Sequence, residues 1–267
     1  MAKTIFITGA SSGIGKATAR FFQAKGWHVI ATMRHPEKET ELTGLENVTV
    51  LPLDVTSPEQ ILTTVQKAIA LRPIDVVVNN AAFGIVGALE GTTDQDMQRI
   101  LDTNVLGVIR VTRAFLPHFR ERQSGVLISI SSEGGFMAYP YFSLYHATKW
   151  AVEGWTESMA FELKPFGIQI KTILPGPTQT DFGNAIITAV HPDYEAGFNK
   201  FTNGYLMEEM VRKFQPVDLV TAVIYQAATD GKDQLRYLAG AVADSNYDKR
   251  MKLGADLFHK ELEKAAM

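Results

Sequence analysis

Residues 8–15 read Thr8-Gly9-Ala10-Ser11-Ser12-Gly13-Ile14-Gly15, and what lies on either side of them decides the fold. The stretch follows a short apolar, β-branched run, Thr4–Thr8, and opens an amphipathic pattern, Ile14–Lys25. Each glycine has its own task. Gly9 lets the chain turn sharply off the strand, Gly13 lets backbone amides approach a pyrophosphate, and Gly15 allows close helix–strand packing. Ser11, Ser12 and Ile14 complete the same cradle, where free N–H groups and the helix dipole favour an anion. An ordinary tight βα loop also uses glycine; the strand before and the helix after are what favour a nucleotide. The spacing is G-x-x-x-G-x-G, and no Gly-Lys-Ser/Thr ending marks a Walker loop.

Outward from this cradle, short apolar runs alternate with amphipathic ones. Further strands are predicted at His28–Met33, Val48–Asp54, Asp75–Asn79, Gly125–Ser131, Gln169–Leu174 and, on a weaker signal, Arg236–Ala239. Apolar nearly throughout, they suit parallel strands buried on both faces. Further helices are predicted at Pro58–Ala70, with a Ser57 cap and proline at the first helical position, and at Gln95–Arg120 and Phe142–Lys164. The alternation predicts an α/β fold. We expect a single doubly wound Rossmann-type domain over 1–267, with a central, mostly parallel seven-stranded sheet flanked by helices. Residues Asp181 to Gln215 do not fit the ladder. Rich in Phe, Tyr, Asn and Gly and without a strand signal, they read as a substrate-lid insertion.

Composition narrows the function. The 267 residues are 46% hydrophobic and 21% charged, with a net charge of −3 and scattered charges, so no nucleic-acid or membrane surface is expected. The absence of cysteine excludes disulfides, thiolate metal sites and a cysteine nucleophile, and no metal site is expected. The first strand begins almost at Met1, leaving no room for a signal peptide, and no apolar run approaches the roughly 18 residues of a membrane span. A cytoplasmic protein is the expectation.

The second strand ends Ala31-Thr32-Met33-Arg34. An NAD site usually places Asp or Glu there for the adenosine ribose hydroxyls. Met33 leaves no carboxylate to repel a 2′-phosphate, and Arg34 offers a guanidinium to clasp one. NADP(H) is therefore the expected cofactor, with NAD(H) possible.

Tyr145 and Lys149 are four apart and share one face of the predicted helix. A phenol, with a pKa near about 10, exchanges protons poorly at neutral pH, and a neighbouring ammonium lowers that value. Spacing alone is a weak signal, since most such pairs are surface neighbours. Ser132, thirteen residues earlier and just past the carboxyl end of a predicted strand, strengthens it. Ligands in open α/β sheets sit outside those ends, where a hydroxyl can stabilise charge on a substrate oxygen. The same serine, or Ser131, would also serve as a cap for the following turn.

Taken together, Thr8–Gly15, Asn79-Asn80-Ala81-Ala82, Asn104, Ser132, Tyr145-x-x-x-Lys149 and Pro175-Gly176-x-x-x-Thr180 resemble the short-chain dehydrogenase/reductase family over nearly the whole chain. The resemblance implies a tetrad of Asn104, Ser132, Tyr145 and Lys149. Tyr145 would give or take the substrate proton, and Ser132 would hold the carbonyl or alcohol oxygen. Lys149 would bind the nicotinamide ribose, and Asn104 would kink its helix and anchor a water. Asp54 and Val55 resemble the adenine contact, Asn80 and Ala81 the adenosine-ribose lining, and Pro175, Thr178 and Thr180 the carboxamide loop. There are two departures. Ala82 stands where the family often has glycine, and Ser12 where many NADP-preferring members carry a basic residue. The implied reaction is hydride transfer between NADP(H) and a carbonyl or secondary alcohol.

Phe83, Phe136, Tyr139 and Phe182, with Gly134, Met137 and Tyr141, are candidate substrate-wall residues and suggest an apolar ketone, aldehyde or alcohol; some of them would equally suit a core. Glu133, beside Ser132, has no evident role in the sequence. A nicotinamide-nucleotide-binding regulator without catalysis is the alternative, against which the intact Ser132, Tyr145 and Lys149 argue. A sugar-nucleotide epimerase would need a larger carboxy-terminal domain. The resemblance also implies a homodimer or homotetramer built through the two long helices.

Overall fold

The computed structural model describes residues 2–266, side chains at 208–210 excepted. The chain runs β1 (Thr4–Thr8), α1 (Gly13–Ala24), β2 (His28–Met33), β3 (Val48–Pro52), α2 (Pro58–Leu71), β4 (Val76–Asn79), β5 (Gly84–Gly87), α3 (Asp94–Leu101) and α4 (Val108–Arg122). It continues through β6 (Gly125–Ile130), α5 (Ser143–Leu163), β7 (Ile168–Pro175), β8 (Ile186–Ala189), α6 (Glu195–Phe201), α7 (Val217–Thr229), β9 (Arg236–Ala239), α8 (Ala241–Leu253) and α9 (Ala255–Ala266). Seven strands form one sheet in the order β3-β2-β1-β4-β6-β7-β9. Every neighbouring pair is parallel, so the expected sheet is present and has no antiparallel edge.

The apolar strands bury both faces. In β1, Ile5 and Ile7 pack with Phe22 of α1 and Ile224 of α7, while Phe6 points the other way. There it meets Phe115 of α4, ring centroids 4.9 Å apart, and Ile61 and Val65 of α2 belong to the same cluster. Burying one such side chain is worth about 1.5–3 kcal/mol, which is why these strands are apolar rather than alternating. The strand order reverses between β1 and β4. That switch point leaves a cleft outside the carboxyl ends of the strands, bordered by Gly9 and Asn80.

Several details differ from expectation. The predicted helix Gln95–Arg120 is two helices, α3 and α4, separated by a π-helical turn at Asp102–Gly107. Strand β3 stops at Pro52, short of Asp54. Beyond it Asp54 turns back on Thr56, accepting from the Thr56 amide at 2.9 Å and its hydroxyl at 2.7 Å. The stretch Asp181–Gln215 does contain a strand, β8, paired in parallel with β5 in a separate two-stranded sheet. Four residues with a glycine at each end, as in β5, give no periodic signal, and the pair forms only because the fold brings the segments together. Among the described residues, no helix is long and apolar enough to cross a membrane.

Candidate active site

The glycine cradle is assembled against β4. Gly9 has φ +66, and a Cβ there would lie 2.8 Å from the Cα of Ala81. Both the left-handed backbone and the close approach require glycine. A Cβ on Gly15 would collide with the Asn80 amide and the Gly9 carbonyl, so this glycine does serve packing. Asn80 braces the turn, donating from Nδ2 to the carbonyls of Thr8 (3.0 Å) and Gly9 (2.9 Å). The Thr8 hydroxyl accepts from the amides of Asn80 and Ala81, at 2.9 and 3.1 Å. Ser11, Ser12, Gly13, Lys16 and Thr180 line the open cleft that follows, about 560 Å³ in volume. Ser12 precedes α1 and its side chain does not cap the helix, which leaves the first turn at Ser12 and Gly13 bordering this cleft, as an anion site would require. A cradle that a Cβ would fill, leading into a cleft of dinucleotide scale, fits a nicotinamide dinucleotide.

Arg34 follows β2, exposed and without an ion pair among the described residues, whereas Met33, which ends the strand, is buried. Val55 is buried beside Gly107. Pro175 closes β7, and the next loop is strapped from outside the expected motif. Gln215 donates from Nε2 to the Thr178 hydroxyl (3.2 Å) and the Ala239 carbonyl (2.7 Å), and its backbone pairs with Thr178 as an isolated bridge. The Thr180 hydroxyl accepts from the Phe182 amide at 3.3 Å. Gln215 carries no sequence signal, because its partners lie far away along the chain.

Strand β6 delivers Ser132, whose hydroxyl accepts from the Gly134 amide at 3.1 Å and also interacts with the Tyr145 hydroxyl. Capping and facing the tyrosine are thus done by one side chain. In α5, Lys149 is 4% exposed and its Nζ donates to the Ile130 carbonyl at 2.8 Å, lying 5.6 Å from the centre of the Tyr145 ring. Burial pushes its pKa down to about 8, with Glu153 acting the other way. Burial pushes the Tyr145 phenol up to about 12, opposed by Ser132 and assisted by the negative charge of Glu133. The expected lowering of Tyr145 is thus not found: the phenol is raised, and it is Ser132 that opposes the rise. Both groups sit where desolvation disfavours charge, so the protonation of each responds to any further charge brought into the site.

Asn104 lies in the π turn and spends its whole side chain on structure. Its Oδ1 accepts from the Phe83 amide (3.1 Å), and its Nδ2 donates to the Phe83 carbonyl (2.8 Å) and the Thr148 hydroxyl (3.2 Å). That two-way clasp ties the broken helix to the segment before β5 and to the turn of α5 that holds Lys149.

The aromatic candidates separate into two groups. Phe83 packs in one cluster with Leu144 and Tyr145, and the Phe182 ring lies 5.9 Å from that of Tyr145. Ile85 of β5 and Ile187 of β8 belong to the same cluster, and nothing in the sequence marks them as part of it. Phe136, Met137 and Tyr139 instead lie in a buried cluster with Phe201 and Phe258, and Tyr141 packs at its edge. The Tyr139 hydroxyl is spent on Glu133, 2.9 Å away.

The model of the family described as short chain dehydrogenase matches residues 3–190. A 3-ketodihydrosphingosine reductase of Bacteroides thetaiotaomicron is 38% identical over 199 residues, covering 73% of this chain and 72% of its own. A short-chain dehydrogenase from Streptomyces avermitilis superposes with a TM-score of 0.82 at 33% identity, covering 94% of this chain and 95% of its own. The NADP-bound structure of ElxO superposes with a TM-score of 0.76 at 30% identity, covering 91% of this chain and all (100%) of its own.

Proposed function

The chain belongs to the short-chain dehydrogenase family and is an oxidoreductase, and from that premise we propose that it interconverts a carbonyl and a secondary alcohol with NADP(H) preferred over NAD(H). The observation that carries this reading is the meeting of Ser132, Tyr145 and Lys149 at the carboxyl end of β6, two strands along the sheet from the β1 end that bears the glycine cradle. When bound, the nicotinamide ring supplies or accepts the hydride. The cradle of Gly9, Ser11, Ser12, Gly13, Ile14 and Gly15 would hold the pyrophosphate, with Asp54, Val55, Asn80 and Ala81 toward the adenosine and Pro175, Thr178 and Thr180 toward the nicotinamide. Arg34 would clasp a 2′-phosphate. Its guanidinium, without an ion pair among the described residues, supports this, and ElxO is a relative that binds NADP.

In reduction, Ser132 and Tyr145 polarise the carbonyl oxygen and Tyr145 delivers the proton from its hydroxyl; oxidation reverses these steps. A phenol held protonated by burial suits the donor role. Lys149, already poised near neutrality, supplies positive charge beside the ring when the phenol must give its proton up. Asn104 holds the helix break in place.

Phe83, Phe182 and the apolar β5–β8 pair support an apolar ketone, aldehyde or alcohol as substrate, in keeping with the reductase relative whose name specifies a sphingoid ketone. Residues 181–215 act as the lid over a single domain. The enzyme is cytoplasmic and a homodimer or homotetramer, an assembly to which the exposed Trp150 and Phe161 of α5 lend support. The test is a carbonyl and alcohol panel that follows absorbance of the reduced nucleotide with NADPH and with NADH. Nucleotide binding without turnover of any panel member would sink the enzymatic reading, and equal rates with both nucleotides would sink the role of Arg34.

A further inference from the structure

Glu133 follows Ser132 directly and is 3% exposed; its backbone carbonyl closes the turn by accepting from the Phe136 and Met137 amides, a task that needs no carboxylate. Its carboxylate has no cation bonded to it among the described residues. One oxygen accepts from the Tyr139 hydroxyl at 2.9 Å and the other from the Asn246 amide of α8 at 3.0 Å. A buried carboxylate held by two neutral donors is costly, and burial pushes its pKa up while both donors pull the other way. Packing alone would be served more cheaply by an apolar side chain.

What the carboxylate joins explains its place. The backbone from 132 to 139 is fixed at its near end by the Ser132 hydroxyl on the Gly134 amide, and at its far end by His146 of α5. His146 donates from Nδ1 to the Gly134 carbonyl (3.1 Å), and its Nε2 accepts from the Tyr139 amide (2.9 Å). Those bonds tie the turn to the helix that carries Tyr145. Among the described residues, Glu133 alone adds a hydrogen bond from this turn to α8, across 113 residues of sequence. Beside that bond, Tyr247 of α8 packs edge-on against Phe136 at 5.2 Å.

We propose that Glu133 is a positioning residue: by holding Tyr139 and Asn246 at once, it fastens the turn that presents Ser132 to the distant helix α8. The distant helix then helps to set where the Ser132 hydroxyl stands relative to Tyr145. This rests on the role given above to Ser132 as the holder of the substrate oxygen.

The test exchanges donor and acceptor across the contact in the full-length protein. Asn246→Asp sets a second carboxyl against Glu133. Adding Glu133→Gln restores one donor and one acceptor. For carbonyl reduction, N246D should lower kcat by about 10- to 100-fold, the range that a displacement of about 1 Å produces, with KM and binding of the nucleotide unchanged. The E133Q/N246D pair should return to within about threefold of wild type, a non-additivity that two independent sites do not show. Amide exchange of the 132–139 segment should quicken in N246D and recover in the pair, and this readout requires no turnover. Turnover of N246D, per folded molecule, that matches wild type would overturn the proposal, even where its melting temperature falls. So would a pair that fails to recover. Should N246D not fold, N246A must show the same kcat loss on a smaller scale and the same faster exchange. A wild-type protein that turns over no carbonyl would remove the enzymatic reading, and the exchange data would then judge the bracket alone.

Discussion

Acidifying the protein should unfasten the active-site turn through one histidine. His146 is 5% exposed, and its ring nitrogens are committed to the Gly134 carbonyl and the Tyr139 amide. Nε2 must accept, so the bound ring is neutral with its proton on Nδ1. Burial accordingly pushes the pKa from 6.5 down to about 4, the bond to Gly134 only partly opposing it. A folded pKa below the unfolded one means that the stability contribution is fully present above about pH 6.5 and is lost as pH falls through about 4. At about 1.36 kcal/mol per pH unit, the folded state should lose about 2 kcal/mol by pH 5 and about 3 kcal/mol by pH 4 through this group alone. For a chain of this size the loss at pH 5 corresponds to roughly 4 °C in Tm. The assay is equilibrium urea unfolding between pH 7.5 and 4.5 for wild type and for His146→Gln. The variant starts less stable, having lost tailored hydrogen bonds, but the gap should close as pH falls. His28 and His118 are also held below their ordinary values by burial, and both proteins share them, so their contributions cancel in the difference. Parallel losses in the two proteins would refute the reasoning.

Other expectations follow from the site. Tyr145→Phe should keep nucleotide binding, measured by fluorescence titration, and lose nearly all turnover; substantial residual rate would remove Tyr145 as the proton donor. Arg34→Ala should raise KM for NADPH by about 10- to 100-fold, the scale of one or two charge-assisted bonds, and leave KM for NADH unchanged in steady-state kinetics. Asn104→Ala strips both backbone groups of Phe83 of their partner, so denaturant unfolding should show a loss of about 2–4 kcal/mol and turnover should fall with it.

Wherever a residue's environment is set by its near neighbours in sequence, it was legible. The seven strands announce themselves because burial on both faces demands unbroken apolar runs, and the glycine turn because a strand must reverse into a helix within a few residues. Tyr145 and Lys149 meet because a helix turn makes them meet. The sequence itself determined that ladder, the cradle and the catalytic pair. Tertiary structure decided what depends on distant segments arriving together. The clasp of Asn104 on Phe83 accompanies the split of one expected helix into two, and β8 exists only beside β5. Phe136 and Tyr139 look like pocket aromatics from their place after Ser132, yet α8 and α9 supply partners that bury them. Glu133 had no reading until Asn246 arrived from 113 residues away. The same holds for Tyr145: spacing put an ammonium next to its ring, but desolvation, which only the packed protein supplies, sent its pKa up instead of down.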